Sequence, residues 1–210
     1  MQGLFISGSG TGVGKTFIAQ HIVRALSDKL MVSVRKPVES DCTEENGVLI
    51  TKDAVLLKNA SNIDEDIDTI CPYKFTQCAS PELASASVQR PLSLENLVLA
   101  AQSPNFVVVE GAGGIYSPIA ENALNVDLAK HLALPVVLVV KDELGAVNQA
   151  LMADAAAKEH GLEALAIVLN QQQENTLDND QAIRRYTQTP VLVYNTQRAQ
   201  AFAAEVRDLV

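Results

Sequence analysis

One short segment constrains the fold of this chain more than any other: the glycine-rich run GSGTGVGKT at residues 8–16. It follows an apolar stretch at residues 4–7 and precedes FIAQHIVRAL, whose apolar spacing is that of an amphipathic helix. A strand, a glycine-rich turn and a helix in this order predict a loop whose backbone N–H groups bind phosphate oxygens. Five residues separate Gly8 from Gly14 where the usual pattern has four, so the loop is a variant.

Along the rest of the chain, apolar runs rich in β-branched residues alternate with segments of helical spacing. We expect strands at residues 4–7, 31–35, 106–110, 135–140, 165–170 and 191–193, and helices at residues 15–30, 53–60, 92–102, 146–160, 177–187 and 197–210. The third and fourth strands are continuously apolar, which indicates burial on both faces. The sequence therefore predicts one α/β domain over residues 1–210, with a doubly wound, mostly parallel sheet flanked by helices as in P-loop NTPases.

Composition argues against several classes of protein. The net charge of −9 disfavours a nucleic-acid-binding surface, since phosphates are neutralised by clustered lysines and arginines. The start MQGLFISGSG lacks the features of a secretory signal, and no apolar run is long enough to span a membrane. We therefore expect a cytoplasmic protein with neither nucleic acid nor membrane as a partner. The three cysteines are odd in number and have no C-x-x-C spacing, which suggests neither disulfides nor a zinc site.

Ligands of such a sheet bind beyond the carboxyl ends of its strands. Lys15 would bring a positive charge to the outer phosphates of a nucleotide, and Thr16 could be a ligand of Mg²⁺. At the end of the third strand, Glu110 occupies the position of the second magnesium contact in phosphate-loop enzymes. Lys36 ends the second strand and is either a cation for an anionic substrate or a surface lysine. Asp53 is either a further carboxylate ligand or a helix N-cap.

Other polar residues are more ambiguous. Asn170 ends the fifth strand before a polar loop at residues 171–175, where its amide could bind the edge of a purine or form a turn. Ser40 could donate a hydrogen bond near Lys36. The histidines are interpreted as packing or capping residues: His21, His131 and His160.

With these motifs placed, the chain resembles the dethiobiotin synthetase family. GSGTGVGKT, RKPVES, the helix at Asp53, CASPELASA, VVVEGAGG and LGAVNQA match its motifs in order and spacing over about residues 4–170. The resemblance implies a homodimeric cyclo-ligase of biotin biosynthesis that uses ATP, Mg²⁺, CO₂ and 7,8-diaminononanoate. A carbamate forms on one amine, ATP phosphorylates it, and the second amine closes the ureido ring as phosphate leaves.

The resemblance also assigns roles by motif position. It implies that Lys15 and Lys36 act in catalysis and that Thr16, Asp53 and Glu110 bind Mg²⁺. The implied nucleotide-binding residues are Gly12, Val13, Gly14, Lys15, Thr16, Phe17, Asp53, Glu110, Gly111, Ala112, Gly113, Asn170 and Gln171. The implied substrate-binding residues are Thr11, Lys36, Ser40, Gly111, Gly114, Gly145, Ala146 and Asn148. The last three would act across the dimer interface, where a helix N-terminus suits the distal carboxylate of the substrate.

This chain departs from the family pattern in places. Gly12 stands where many members have Glu, Asp41 stands where they have Gly, and residues 191–195 replace the usual Gly-x-Ile-Pro stretch. The first two departures lie near the predicted active site, and the third leaves the C-terminal adenine contacts unassigned.

Three alternatives compete with this hypothesis. A switch ATPase of the chromosome-partitioning or division-site type has a similar loop, but its extra signature lysine would stand at Gly10. An amide-forming ligase would share the loop and the magnesium site, but such chains usually carry a glutaminase domain. A diverged paralogue could bind ATP without making dethiobiotin.

Overall fold

The computed structural model describes residues 1–173 and 175–210, and it contains a parallel sheet with helices on both faces. Glu174, part of the predicted polar loop, lies outside the described residues. The strands are β1 Gly3–Gly8, β2 Val32–Arg35, β3 Val38–Glu39, β4 Thr43–Glu45, β5 Val48–Ile50, β6 Tyr73–Lys74, β7 Phe106–Glu110, β8 Pro118–Ala120, β9 Ala123–Leu124, β10 Val136–Lys141, β11 Ala164–Asn170 and β12 Val191–Tyr194.

The helices are α1 Lys15–Ser27, α2 Lys52–Lys58, α3 Ile67–Ile70, α4 Pro81–Ser87, α5 Leu94–Ala100, α6 Asn125–Leu132, α7 Ala146–Glu159, α8 Asn179–Arg184 and α9 Ala199–Leu209, with a 3-10 turn at Thr196–Arg198. The predicted helices are present, but several of them are shorter than predicted. α5 begins at Leu94 because the side chain of Ser93 caps it by accepting from the amide of Asn96. Side-chain caps of this kind set helix ends more sharply than apolar spacing can.

The order of strands in the main sheet explains where a site can form. The six described strands are parallel and run β12-β11-β10-β1-β7-β2. Each coincides with a predicted strand to within one residue at either end. Because β1, β7 and β2 are neighbours, the segments that follow Gly8, Glu110 and Arg35 meet at one edge of the sheet.

Alternating side chains of the strands build two apolar layers, one on each face of the sheet. On one face, Leu4 and Ile6 of β1 belong to the layer that contains Phe202 of α9. On the other face, Phe5 belongs to the layer that contains Leu128 of α6. All five side chains are at most 3% exposed. The doubly wound α/β fold predicted from the sequence is confirmed.

The segment between β2 and α5 forms one wall above the sheet edge. Its strand β3 pairs in parallel with β6, and α2 follows the hairpin of β4 and β5. Thr51 occupies the N-cap position of α2, so Asp53 lies within the helix and its interpretation as an N-cap was wrong. No helix among the described residues is both long and apolar enough to cross a membrane.

Candidate active site

The glycine-rich loop curls around Lys15 at the start of α1. Gly12 and Gly14 have φ of 74° and 89°, a region that glycine enters without steric penalty. The Lys15 ammonium donates to the carbonyl of Gly10 at 2.9 Å, and the Asn170 side-chain amide donates to the carbonyl of Val13 at 3.0 Å. The loop is thus closed by its own lysine and supported from β11.

Lys36 lies beside this loop, between two carboxylates. Its Nζ is 2.5 Å from Glu110 Oε1 and 2.9 Å from Asp53 Oδ2, and it also donates to the carbonyl of Gly111 at 3.3 Å. The Thr16 hydroxyl donates to the same oxygen of Glu110 at 2.8 Å. Lys36 is 3% exposed, so this arrangement holds a charged ammonium away from water. The interpretation of Lys36 as a surface lysine was wrong.

The charges in this cluster shift one another's pKa values. Burial alone would lower the pKa of Lys36, but the charges and hydrogen bonds of Glu110 and Asp53 outweigh burial and raise it. Burial would raise the pKa of Asp53, but Lys36 holds it below its ordinary value. Burial, followed by the charge of Lys36, lowers the pKa of Lys15 to about 8. An anion bound at the loop would therefore favour the charged form of Lys15.

The oxygen atoms around Lys36 fit a divalent metal. Thr16, Asp53 and Glu110 offer one hydroxyl and two carboxylates, and Mg²⁺ prefers a few such hard ligands together with phosphate oxygens. Glu110 Oε2 is buried and has no hydrogen-bond partner among the described residues, so it is an acceptor without a donor. The residues predicted to bind Mg²⁺ are brought together by the fold.

These groups line a cleft of about 990 Å³ at the carboxyl edge of the sheet. Its lining includes twelve of the residues predicted for the site: Thr11, Gly12, Gly14, Lys15, Thr16, Phe17, Lys36, Ser40, Asp53, Glu110, Ala112 and Gly113. The Ser40 hydroxyl donates to the carbonyl of Ala79 at 2.7 Å, so its oxygen remains as an acceptor. A cleft of this size accommodates a nucleotide and a small substrate.

Other predicted residues lie outside the cleft. Asn170 is fully buried beneath the loop, and its Oδ1 has no hydrogen-bond partner among the described residues. Gln171 donates to the carboxylate of Asp142 at 2.9 Å. Three more predicted residues are buried and do not line the cleft: Val13, Gly111 and Gly114. The predicted substrate-binding residues at the start of α7 also lie away from the cleft: Gly145, Ala146 and Asn148.

Sequence reasoning missed two polar residues that shape the cleft. Asn125 is fully buried, accepts from the amide of Ala112 at 3.1 Å and donates to the carbonyls of Ala112 and Gly114 at 2.6 and 2.9 Å. Glu39 accepts from the amides of Asp53 and Ala54 at 3.0 and 3.1 Å. Burial raises the pKa of Glu39. An isolated Asn or Glu gives no sequence signal of such long-range bonds.

Two of the residues that depart from the family pattern, Gly12 and Asp41, have positive φ. Gly12 has a φ of 74°, and a Cβ there would meet no atom within 4 Å, so a larger residue would be opposed by the backbone conformation rather than by a clash at Cβ. Asp41 also has positive φ, at 63°. Aspartate tolerates this region better than most residues, which makes it an acceptable replacement for glycine.

Comparison with known structures agrees with this fold. A ParA family ATPase from Chlorobium tepidum TLS aligns with a TM-score of 0.58 at 14% identity, over 100% of this chain and 92% of that one. The septum site-determining protein MinD from Pyrococcus horikoshii OT3 aligns with a TM-score of 0.54 at 14% identity, over 98% and 86%. At this identity the likeness concerns the fold alone.

Sequence comparison gives the class and then the family. The family model described as an AAA domain matches residues 2–194, and with the glycine-rich loop this defines a P-loop ATPase. The chain is 53% identical to the ATP-dependent dethiobiotin synthetase BioD of Ruthia magnifica subsp. Calyptogena magnifica, over 100% of this chain and 99% of the relative. It is 51% identical to the protein of the same name from Vesicomyosocius okutanii subsp. Calyptogena okutanii, over 100% and 97%. The chain belongs to the dethiobiotin synthetase family.

The loop geometry predicts the effect of a single methyl group. In Gly14→Ala the new Cβ would lie 2.0 Å from Asn170 Nδ2, at a φ that alanine rarely adopts. We expect the free energy of unfolding to fall by about 1–3 kcal/mol and ATP binding to weaken as the loop shifts. Gly10→Ala is the control, since its Cβ meets no atom within 4 Å. Denaturant unfolding and calorimetric titration with ATP compare them; equal behaviour of the two variants would contradict the prediction.

Proposed function

We propose that this chain uses ATP to carboxylate 7,8-diaminononanoate with CO₂ and to close the ureido ring of dethiobiotin, in biotin biosynthesis. The observation that carries this proposal is the buried ammonium of Lys36, held next to the phosphate loop at the edge of a cleft. A fixed cation there stabilises an anion formed on the substrate and the charge that develops during phosphoryl transfer. Family membership supplies the identity of the substrate.

The loop would bind the triphosphate of ATP. The first residues of α1 line the cleft, where the amides of a helix start bind phosphate, and Lys15, with its pKa near 8, would become fully charged against the outer phosphates. Gly12, Val13 and Gly14 would supply the curled backbone. Phe17 follows the loop with 39% of its surface exposed at the cleft, where its ring can cover part of the nucleotide.

Thr16, Asp53 and Glu110 would bind Mg²⁺. Bound Mg²⁺ would neutralise phosphate oxygens during transfer. Because the same carboxylate oxygens pair with Lys36, the ammonium would share them and turn toward an anion in the cleft. Lys36 therefore would hold the carbamate on the substrate. Thr11, Ser40 and the backbone of Gly111–Gly114 would position the rest of the molecule.

The reaction that family membership implies would proceed at this site in three steps. One amine attacks CO₂ and loses a proton, and a carbamate oxygen beside Lys36 attacks the outer phosphorus of ATP as ADP leaves. The second amine then attacks the carbonyl carbon of the carbamic–phosphoric anhydride and loses a proton as the C–O bond to the phosphate breaks, so the ring closes and phosphate leaves. Each step creates or moves negative charge within reach of Lys15 and Lys36, which is where a fixed positive charge lowers the barrier.

Asn170 and Gln171 would contact adenine. The free acceptor of Asn170 supports this role, although its burial requires the loop beside it to move when the base binds. Gln171 is held by Asp142 and by Asn195, which donates to it at 2.8 Å. These bonds orient the amide at the end of β11, as recognition of a purine edge requires.

We further propose that the protein is a cytoplasmic homodimer without nucleic-acid or membrane partners, in keeping with its charge of −9. Leu144, which precedes α7, is 88% exposed, and α7 itself presents two exposed side chains one turn apart, Asn148 and Met152, the second at 65% exposure. In a dimer this stripe would be covered, and Gly145, Ala146 and Asn148 would approach the partner's substrate carboxylate.

The dimer has a direct test in solution. We expect the unmodified chain to have the mass of two copies by light scattering and Leu144→Asp to shift toward one copy, because a charge replaces an apolar contact. Leu83→Asp is the control, since Leu83 is 56% exposed on α4, outside the segment that contains Leu144 and α7. A single-copy mass for the unmodified chain would refute the dimer.

The activity has a direct assay. Purified protein with ATP, Mg²⁺ and bicarbonate should release phosphate only when 7,8-diaminononanoate is added, and mass spectrometry should detect dethiobiotin. Lys36→Met should lower turnover by at least about 100-fold, because the transition state loses its fixed cation. Lys29→Met removes an exposed lysine outside the site and should retain activity.

The same assay separates the alternatives. Phosphate release that ignores the diamine would favour a switch ATPase or a paralogue without biotin chemistry. Equal losses in Lys36→Met and Lys29→Met would contradict the roles assigned to the cleft.

A further inference from the structure

Glu39 is a buried carboxylate in the wall of the cleft that the proposed reaction does not use. It ends β3, is 6% exposed, and lies in the same cleft wall as Asp53. Its Oε1 accepts from the amide of Asp53 at 3.0 Å and its Oε2 from the amide of Ala54 at 3.1 Å. Both oxygens are thus committed to the first turn of α2.

The first turn of α2 depends on this carboxylate. The leading amides of a helix have no partner within the helix and need an acceptor from outside. Thr51 stands at the N-cap, but its side chain makes no capping bond, and its hydroxyl is buried without a partner among the described residues. Glu39 takes the place of the missing cap, with charge-assisted bonds that are stronger than those of a neutral hydroxyl.

The two amides fix the residue that carries the functional carboxylate. One of them belongs to Asp53, whose carboxylate is 2.9 Å from Lys36 Nζ. The side chain of Asp53 is 36% exposed, so packing alone holds it loosely. A shift of the first turn of α2 would move this carboxylate away from Thr16 and Glu110, which are attached to other elements of the fold.

We propose that Glu39 is a positioning residue that holds the Asp53 carboxylate in place for Lys36 and for a divalent metal; this rests on the metal site of the proposed function. Partners that orient metal ligands from behind typically change metal affinity about 10–100-fold when removed. A plain helix cap would affect stability alone. Metal affinity therefore separates the two roles.

The experiment measures Mn²⁺ binding to the full chain saturated with the β,γ-imido analogue of ATP, from the electron paramagnetic resonance signal of free Mn²⁺. Binding of the analogue without metal is measured by calorimetry in EDTA. Glu39→Ala should weaken Mn²⁺ binding by roughly ten-fold, while metal-free binding of the analogue changes less than about two-fold, because the loop is intact. Glu39→Gln keeps one acceptor oxygen, so its Mn²⁺ affinity should lie between those of the unmodified chain and Glu39→Ala.

The matched control is Ser93→Ala. It removes the cap of α5, a helix of seven residues like α2, on which no residue of the proposed site lies. We expect it to lower thermal stability and to leave Mn²⁺ affinity unchanged. If Glu39→Ala does not fold, the Mn²⁺ affinity of Glu39→Gln tests the positioning role: weaker binding than in the unmodified chain supports it, and unchanged binding overturns it.

A second comparison, Asp53→Asn, separates this inference from the proposed function. Weak Mn²⁺ binding in Asp53→Asn together with unchanged binding in both Glu39 variants would overturn the positioning role and leave the metal site standing. Unchanged Mn²⁺ binding in Asp53→Asn itself would overturn the metal site, and the inference with it.

Discussion

The buried ion pair of Lys36 and Glu110 is the interaction on which the site depends. Burying an ammonium and a carboxylate is costly unless each satisfies the other, and removing one partner typically costs about 3–5 kcal/mol. The pair forms because β2 and β7 are neighbours, so the residues that follow them meet at one edge of the sheet. Asp53 and Thr16 join the same pair from α2 and α1. Charge balance within the protein itself thus places together the groups that an anionic substrate and a metal would use.

Support for this cluster comes from residues that do not take part in the chemistry. Asn125 bonds to the backbone of the loop after β7, and Glu39 bonds to the first turn of α2. Asn170 holds the carbonyl of Val13 from beneath the phosphate loop. Each is a buried polar group whose bonds reach a distant segment. The bonds of Asn125 and Glu39 satisfy both groups and so make the site rigid, whereas Asn170 Oδ1 has no partner among the described residues. The cleft therefore lies at the sheet edge, and buried hydrogen bonds of Asn125 and Glu39 hold the segments that line it.

The sheet could be predicted from the sequence because continuous apolar runs leave few alternatives to a buried parallel strand. The positions of Lys36 and Glu110 followed, since each lies at the end of a predicted strand. What failed depends on contacts between distant segments. The N-cap interpretation of Asp53 failed because its partner, Lys36, is distant in sequence and the cap of its helix comes from Glu39. The burial of Asn170 was missed for the same reason, because its amide donates to the carbonyl of Val13, far away in the sequence.

The most direct test of this account is a double-mutant cycle on the pair, read as free energies of unfolding without ligands. Lys36→Met and Glu110→Leu should each cost about 3–5 kcal/mol, because each removes the fully buried partner of the other charge and leaves only the half-exposed Asp53 for Lys36 or the Thr16 hydroxyl for Glu110. The double variant should cost clearly less than the sum, since it removes both charges of the pair. Additivity within about 0.5 kcal/mol would show that the two residues act independently, which would contradict the dependence of the site on their interaction.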